Sequence, residues 1–209
     1  MRTIEYFAGT GSFSKVARSR GHSIYRIEIN KDFEAEAHKS ILEIERENEY
    51  YDIAWFSPPC TGFSVAAIGK SWDRETKEPK SKSAEEGLEL LERTIKLISQ
   101  GKYIYWFVEN PRGMMRKIID RIFEKYGIKN YKRVTVTYCQ YGDKRMKPTD
   151  IWTNCKEWIP RSACKNGDKC HERAPRGSRT GTQGMKGAKL RSVIPPALFQ
   201  EIINNIEGD

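Results

Sequence analysis

"YDIAWFSPPCTGFS", residues 51–64, begins as an apolar run and ends in two prolines, a cysteine and a glycine. A short stretch rich in Ile, Trp and Phe, halted by Pro58 and Pro59, reads as a buried strand that runs into a stiff turn. The turn carries a thiol, Cys60, at the carboxyl end of that strand. A free cysteine is more often an inert core residue. The flanking prolines and the position after a strand point instead to a nucleophile. The thiolate is the reactive form, so Cys60 needs cationic or hydrogen-bonding neighbours.

The pattern on either side decides what kind of sheet this strand belongs to. "RTIEYF" reads as an opening strand over 3–7, followed by a glycine-rich turn and a helix from about Ser12 to Gly21. "HSIYRIEIN" is a second strand whose alternation brings Glu28 near its carboxyl end. Residues 31–50 are mostly helical in pattern. Residues 69–83 are polar and charged and read as a mobile loop. "AEEGLELLERTIKLIS" is an amphipathic helix and "YIYWFVEN" an apolar strand ending in a carboxylate. "MMRKIIDRIFEKYG" is a helix stopped by Gly127, "YKRVTVTYC" and "DIWTN" are strands, and "PPALFQEIINNI" is a closing helix. Strands that alternate with helices predict an α/β fold with a doubly wound, mostly parallel, Rossmann-like sheet. Ligands are then expected at the carboxyl ends of its strands.

The chain has 209 residues, enough for one such domain and a small appendage. The absence of a signal pattern or a long apolar run predicts a soluble cytoplasmic protein with no membrane partner. Five cysteines in that setting are thiols or metal ligands rather than a disulfide framework. The net charge of +9 is uneven: residues 156–191 hold ten Lys/Arg against three Asp/Glu. That excess suits a polyanion such as nucleic acid, although a solvated basic surface would read the same way. The pattern divides the chain into residues 1–154, a loop-built basic insert over 155–190 and a returning segment over 191–209.

Four constellations carry chemistry. In "FAGTGSFS", residues 7–14, Gly9 and Gly11 let the backbone approach a ligand just after the first strand. An acid at the end of the second strand, Glu28, stands where a ribose would be held through its hydroxyls. "VENP" delivers Glu109 to the same sheet edge as Cys60, where burial would raise its pKa and make it a proton donor. In "DKRMKPTD", Arg145 and Lys147 fall just before a strand, either as fixed cations of the site or as surface charges.

Together these residues resemble the DNA (cytosine-5) methyltransferase family. "FAGTGSFS" is similar to its cofactor motif, "SPPCTGFS" to its Pro-Cys motif, "VENP" to its Glu-Asn motif and "DKRMKPT" to its Arg-x-Arg motif, with Lys147 in the second basic position. "RSVIPPAL", residues 191–198, resembles the last motif, which closes the cofactor pocket. The resemblance implies S-adenosylmethionine as cofactor, contacted by Phe7, Gly9, Gly11, Glu28, Ile29, Ile41, Pro58 and Ser192. It implies Cys60, Glu109 and Arg145 as catalytic residues acting on a cytosine flipped out of duplex DNA. Ser64, Lys147, Arg173, Arg176, Arg179 and Lys186 would meet the DNA. A monomer, with a restriction endonuclease as a possible companion in a bacterial, archaeal or phage-infected cell, fits the same family. One branch of the family modifies transfer RNA, so RNA is the alternative substrate; an inactive nucleic-acid-binding member is the alternative of another class.

Three departures stand out. Ser40 takes the place of an acid that contacts adenine in the family, leaving Ile41 as packing. Asp143 takes the place of a glutamine. The segment that would carry target recognition is short. Within it Cys155, Cys164, Cys170 and His171 are four soft ligands in a stretch with almost no core of its own, which suggests zinc.

Overall fold

The computed structural model describes residues 1–173 and 187–208. Its centre is a six-stranded sheet. β1 (Arg2–Tyr6), β2 (Ser23–Ile27), β3 (Tyr50–Phe56), β4 (Lys102–Pro111), β5 (Lys132–Thr137) and β6 (Pro148–Thr153) lie in the order β2-β1-β3-β4-β6-β5. The first four run parallel, and β6 is antiparallel to both β4 and β5. This is the mostly parallel α/β sheet that the sequence pattern predicts, closed at one side by an antiparallel pair. The chain steps from β1 out to β2 and then back across β1 to β3. The switch point therefore lies between β1 and β3, and ligands of such sheets are expected at the carboxyl ends there.

Helices cover both faces. α1 (Ser12–Ser19) and α6 (Pro196–Glu207) pack on one, burying Phe13, Val16 and Ala17 against Leu198, Phe199, Ile202 and Ile203. Trp55 and Phe107 from the sheet and Trp158 from the insert complete that core. α3 (Lys82–Gln100) and α4 (Ile119–Lys125) cover the other face. α3 buries Ala84, Gly87, Leu91, Thr94, Ile95 and Ile98 at the three- and four-residue spacing of one helix face, and Leu97 beside them. Ser81 caps its start, accepting from the Ala84 amide at 3.4 Å.

The structure differs from the sequence expectation at three places. Residues 31–49 form no α-helix, only a 3-10 turn at Ile41–Glu43. Arg26 is the reason. Its Nη1 donates to Glu34 at 3.1 Å and its Nη2 to Glu36 at 2.8 Å. Side chains two apart share a side only in extended chain, never on a helix. Ser40 then caps the 3-10 turn in a reciprocal pair with Glu43. The stretch expected to be a mobile loop after residue 68 is a folded turn: α2 (Val65–Ser71) leads into Trp72, which is buried, stacks on Phe63 and bridges to Pro79. The helix expected over 114–127 is divided into a 3-10 turn, Met114–Lys117, and α4, because Arg116 leaves the helix line to clasp the buried Asp150.

Candidate active site

The register of the sheet brings the predicted residues to one edge. β3 and β4 are parallel with Phe56 opposite Val108, so Cys60, four residues past Phe56, and Glu109 sit at the same end. β6 runs the other way, so its first residues meet the last residues of β4, with Pro111 opposite Thr149. Lys147 immediately precedes β6 and arrives at that edge by the same geometry. Tyr138, just past β5, does so because Thr137 pairs with Pro148.

Cys60 is exposed and Glu109 is buried. Partial desolvation of the sulfur and the nearby Glu109 carboxylate raise the Cys60 pKa, and Lys147 and Arg191 pull it down. Burial raises the pKa of Glu109; Lys147 and hydrogen bonds from Tyr138 and Ser57 oppose that rise. The Tyr138 hydroxyl donates to Glu109 Oε1 at 3.2 Å. Lys147 is pushed down by desolvation and held up by Glu109 and Cys60. Its ammonium lies 4.7 Å from the centre of the Tyr138 ring and donates to the Arg191 carbonyl at 2.8 Å. It also takes a φ of 28°, rare for a residue with a side chain and a form of strain found at functional sites.

Lys147 is thus the cation that faces both the thiol and the acid. Arg145 is engaged elsewhere. It pairs with Asp143 and donates to the carbonyls of Leu190 (3.3 Å), Arg191 (3.2 Å) and Val193 (3.0 Å). It ties the returning segment, including α5 (Ala188–Ser192), to the sheet edge. Asp143, in the place of the family's glutamine, is the partner that fixes this guanidinium.

The turn holding Cys60 is fixed from several sides. Asn110 Nδ2 donates to the Pro58 carbonyl at 2.8 Å. Trp72 Nε1 donates to the Gly62 carbonyl at 2.6 Å, and the Met114 amide to Phe63 at 2.7 Å. A Cβ on Gly113 would stand 2.1 Å from the Phe63 carbonyl oxygen, so only glycine admits this approach. Ser64 is half-buried at the start of α2.

Across the switch point lies the glycine loop. Phe7, Gly9 and Gly11 all take positive φ, of 56°, 47° and 65°. Glu28 stitches the loop to the end of β2, accepting from the Gly9 amide at 2.7 Å and from Asn30 at 2.9 Å. Each carboxylate oxygen keeps a lone pair for another donor. A Cβ on Gly11 would meet nothing within 4 Å, so the loop's outer side is open to a ligand. Ser192 is exposed, with its hydroxyl on the Lys189 carbonyl at 2.8 Å. Ile29 is 65% exposed beside Glu28, whereas Ile41 is buried in the core.

Two residues of this edge, Tyr138 and Glu5, escape a reading by motif, and a third, Lys147, is read there only as a basic residue of the Arg-x-Arg motif. Lys147 is visible as a basic residue, but its meeting with Cys60 needs the antiparallel β6. Tyr138 has no signal beyond its place at a strand end. Glu5 is buried on β1 and accepts from the Phe13 amide at 3.2 Å and the Ser14 amide at 3.0 Å, which anchors the start of α1 behind the glycine loop. Burial raises its pKa to about 7, against hydrogen bonds from Ser14 and Phe13 that lower it.

The proposed metal ligands need a correction. Cys164, Cys170 and His171 meet, but their fourth companion is Cys139, not Cys155. Cys155 lies outside the cluster, buried in the core beneath α6 with its sulfur 3.8 Å from Asn205 Oδ1. Arg173 is exposed. Arg176, Arg179 and Lys186 lie outside the described residues. No helix among the described residues is long and apolar enough to cross a membrane.

A mostly parallel sheet with a glycine loop and an acid on one side of the switch point, and a Pro-Cys turn on the other, is a Rossmann-like methyltransferase fold. Among solved structures it is the fold of cytosine-5 methyltransferases. A protein named as a candidate DNA modification methyltransferase, encoded within an E. coli prophage, aligns with a TM-score of 0.52 at 14% identity, over 73% of this chain and 46% of that one. The methyltransferase EhMeth of Entamoeba histolytica aligns with a TM-score of 0.50 at 16% identity, over 79% and 57%. The chain spans about half the length of the structures it matches. No protein-family profile matches its sequence. No curated protein matches it either.

Proposed function

We propose that the chain transfers a methyl group from S-adenosylmethionine to C5 of a cytosine in double-stranded DNA, through an adduct of Cys60 at C6. One observation carries this reading. An exposed thiol, a buried carboxylic acid and a half-buried ammonium meet on one sheet edge, one switch point away from an open glycine loop with a free-sided acid.

The residues at the switch point fit the cofactor. Glu28 offers lone pairs to ribose hydroxyls, Gly9 and Gly11 allow close approach, and Phe7, Ile29 and Pro58 supply apolar contact. S-adenosylmethionine, when bound there, supplies an electrophilic methyl group. Everything else falls to the chain. Lys147 stabilises the Cys60 thiolate, which adds to C6 of the base and breaks the C5–C6 double bond. Glu109, its pKa raised by burial, would hydrogen-bond the N3/N4 edge and neutralise charge developing on the ring. After methylation, transfer of the C5 proton to solvent water restores the C5–C6 double bond and expels Cys60 as its thiolate. Arg145 positions this edge by holding the segment that carries Arg191. Ser64 and the arginines of the insert, from Arg173 to Arg179, with Lys186, would bind phosphates and bases.

The basic insert and the DNA modification named for the prophage neighbour support DNA as the substrate class. The test is transfer of labelled methyl from S-adenosylmethionine to unmethylated duplex DNA and, in parallel, to transfer RNA, with bisulfite sequencing of the DNA product. Label at cytosine C5 of the duplex is the expected result. Label on transfer RNA alone would overturn the substrate class and keep the chemistry; label on neither would overturn both.

A further inference from the structure

We infer that Cys139, Cys164, Cys170 and His171 bind one zinc ion, which clamps the insert to the catalytic sheet. The inference is independent of the methyl-transfer reading. It rests on four side chains that have no role there, drawn from two distant parts of the chain. Cys139 belongs to the 3-10 turn Tyr138–Tyr141 at the end of β5. The other three come from the irregular stretch after β6.

The geometry comes close to that of a tetrahedral site, with one sulfur pair nearer than a bound ion would set it. A zinc ion with sulfur at about 2.3 Å and imidazole nitrogen at about 2.0–2.1 Å requires sulfurs about 3.8 Å apart and nitrogen about 3.6 Å from each sulfur. The Cys139 and Cys164 sulfurs are 3.1 Å apart, and those of Cys170 and Cys139 are 3.6 Å apart. His171 Nδ1 lies 3.7 Å from the Cys164 sulfur and 3.5 Å from that of Cys170. All four ligand atoms fall within 4.8 Å of one another. A disulfide would use two of these thiols and leave the third sulfur and the imidazole with nothing to converge on; one metal ion uses all four.

The surroundings support a ligand set. The Cys164 amide donates to Thr137 Oγ1 at 3.1 Å, which fixes that ligand to the end of β5. Gln140 Nε2 donates to the Cys170 sulfur at 3.4 Å, the kind of outer contact that steadies a metal thiolate. Residues 154–173 contain no helix or strand, so a metal supplies the cross-link that secondary structure does not. Three sulfurs and one nitrogen in a closed tetrahedral set favour zinc in a structural rather than catalytic role.

The placement gives the clamp a consequence. Cys139 directly follows Tyr138, whose hydroxyl holds Glu109. The ion therefore fastens the insert one residue away from the support of the buried acid.

The test is elemental analysis of the full chain purified under reducing conditions without chelator. One zinc per chain is expected. Cys139→Ser and Cys170→Ser should each lower zinc affinity by about a hundredfold or more, read by competition with a chromogenic chelator. Cys155→Ala should leave it within about threefold, which separates this ligand set from one containing Cys155. Cys170 is exposed, so its variant keeps the core and guards against a trivial folding failure; circular dichroism checks this. Replacement by cobalt should give the visible absorption of a tetrahedral thiolate site. Wild-type protein that stays metal-free after titration with zinc, equal zinc retention in all the serine variants, or a Cys139–Cys164 disulfide in reducing buffer would each overturn the inference.

Discussion

The same element, sulfur, is put to opposite uses in two regions of the molecule. Cys60 stands alone at the end of β3, with an acid, an ammonium and a guanidinium facing it. Cys139, Cys164 and Cys170 face one another and an imidazole. A lone thiol beside cations can become a nucleophile, whereas thiols that converge are spent on whatever binds between them. The difference lies in neighbours rather than in exposure, since Cys60 and Cys170 are both exposed. It also lies in how each region is held. The Cys60 turn hangs on the packed core through Phe63, Trp72 and Gly113; the cluster hangs on the end of β5 through Cys139 and Thr137.

The sharpest way to break that comparison is to remove one thiol from each region. Cys60→Ala should lower methyl transfer by at least ~10⁴-fold, because alanine cannot add to C6. Folding and zinc content should not change. Duplex DNA containing 5-fluorocytosine should trap wild-type protein in an adduct, since fluorine blocks the final elimination. An adduct formed by the alanine variant would show that another residue is the nucleophile, and the two regions would no longer differ in kind.

Next in size is the acid. Glu109→Gln should slow single-turnover methylation by ~10²–10⁴-fold with DNA affinity little changed. Glutamine can hydrogen-bond the base edge but cannot act as an acid there. Near-normal turnover would mean that another group activates the ring.

A smaller effect is expected at Lys147, and its signature is a shift rather than a loss. Lys147 lowers the pKa of both Cys60 and Glu109. Lys147→Met should therefore raise both. The thiolate then needs a higher pH, so the acid limb of the pH–rate profile should move up, by about one unit for each 1.4 kcal/mol of lost interaction. Near neutrality the rate should drop roughly tenfold per unit and recover as pH rises. Lys147→Arg should restore much of the wild-type profile. A drop of equal size at every pH would show that Lys147 acts through packing alone.

How far the sequence reveals these regions follows from their geometry. Cys60, Glu109, Gly9, Gly11 and Glu28 lie at strand ends, and a strand's end is visible in its own apolar run. The parallel sheet that aligns them follows from alternation. Lys147 was visible, but its proximity to Cys60 depends on β6 running antiparallel, which no local pattern encodes. Cys139 reads as the last residue of a strand; only the return of the insert over β5 brings Cys164 within reach of it. Cys155 looks equivalent in the sequence, yet its side chain points into the core beneath α6. The false helix over 31–50 has a similar origin. Its acids have helical composition, but Arg26 on β2 captures Glu34 and Glu36 together.

The smallest expected effect on turnover lies at Glu5, and it separates the core from the cluster. Glu5 is buried on β1, with a pKa raised to about 7 from an ordinary value of 4.5. Desolvation is the larger cause, and hydrogen bonds from Ser14 and Phe13 partly offset it. The folded state thus binds this proton more tightly than the unfolded chain does. The contribution is fully present below about pH 4.5, is lost as pH rises through about 7, and is constant above that. Wild-type protein should lose stability across this window, by at most a few kcal/mol, which is several degrees in melting temperature for a chain of this size. Glu5→Gln has no proton to lose there and still offers one oxygen to the Ser14 or the Phe13 amide, at the cost of the other bond. Its melting temperature should be less sensitive to pH between 5 and 8, measured on the zinc-loaded protein so that the cluster contributes equally to both. Parallel curves for the two proteins would mean that Glu5 stays ionised in the fold, its charge satisfied by the start of α1.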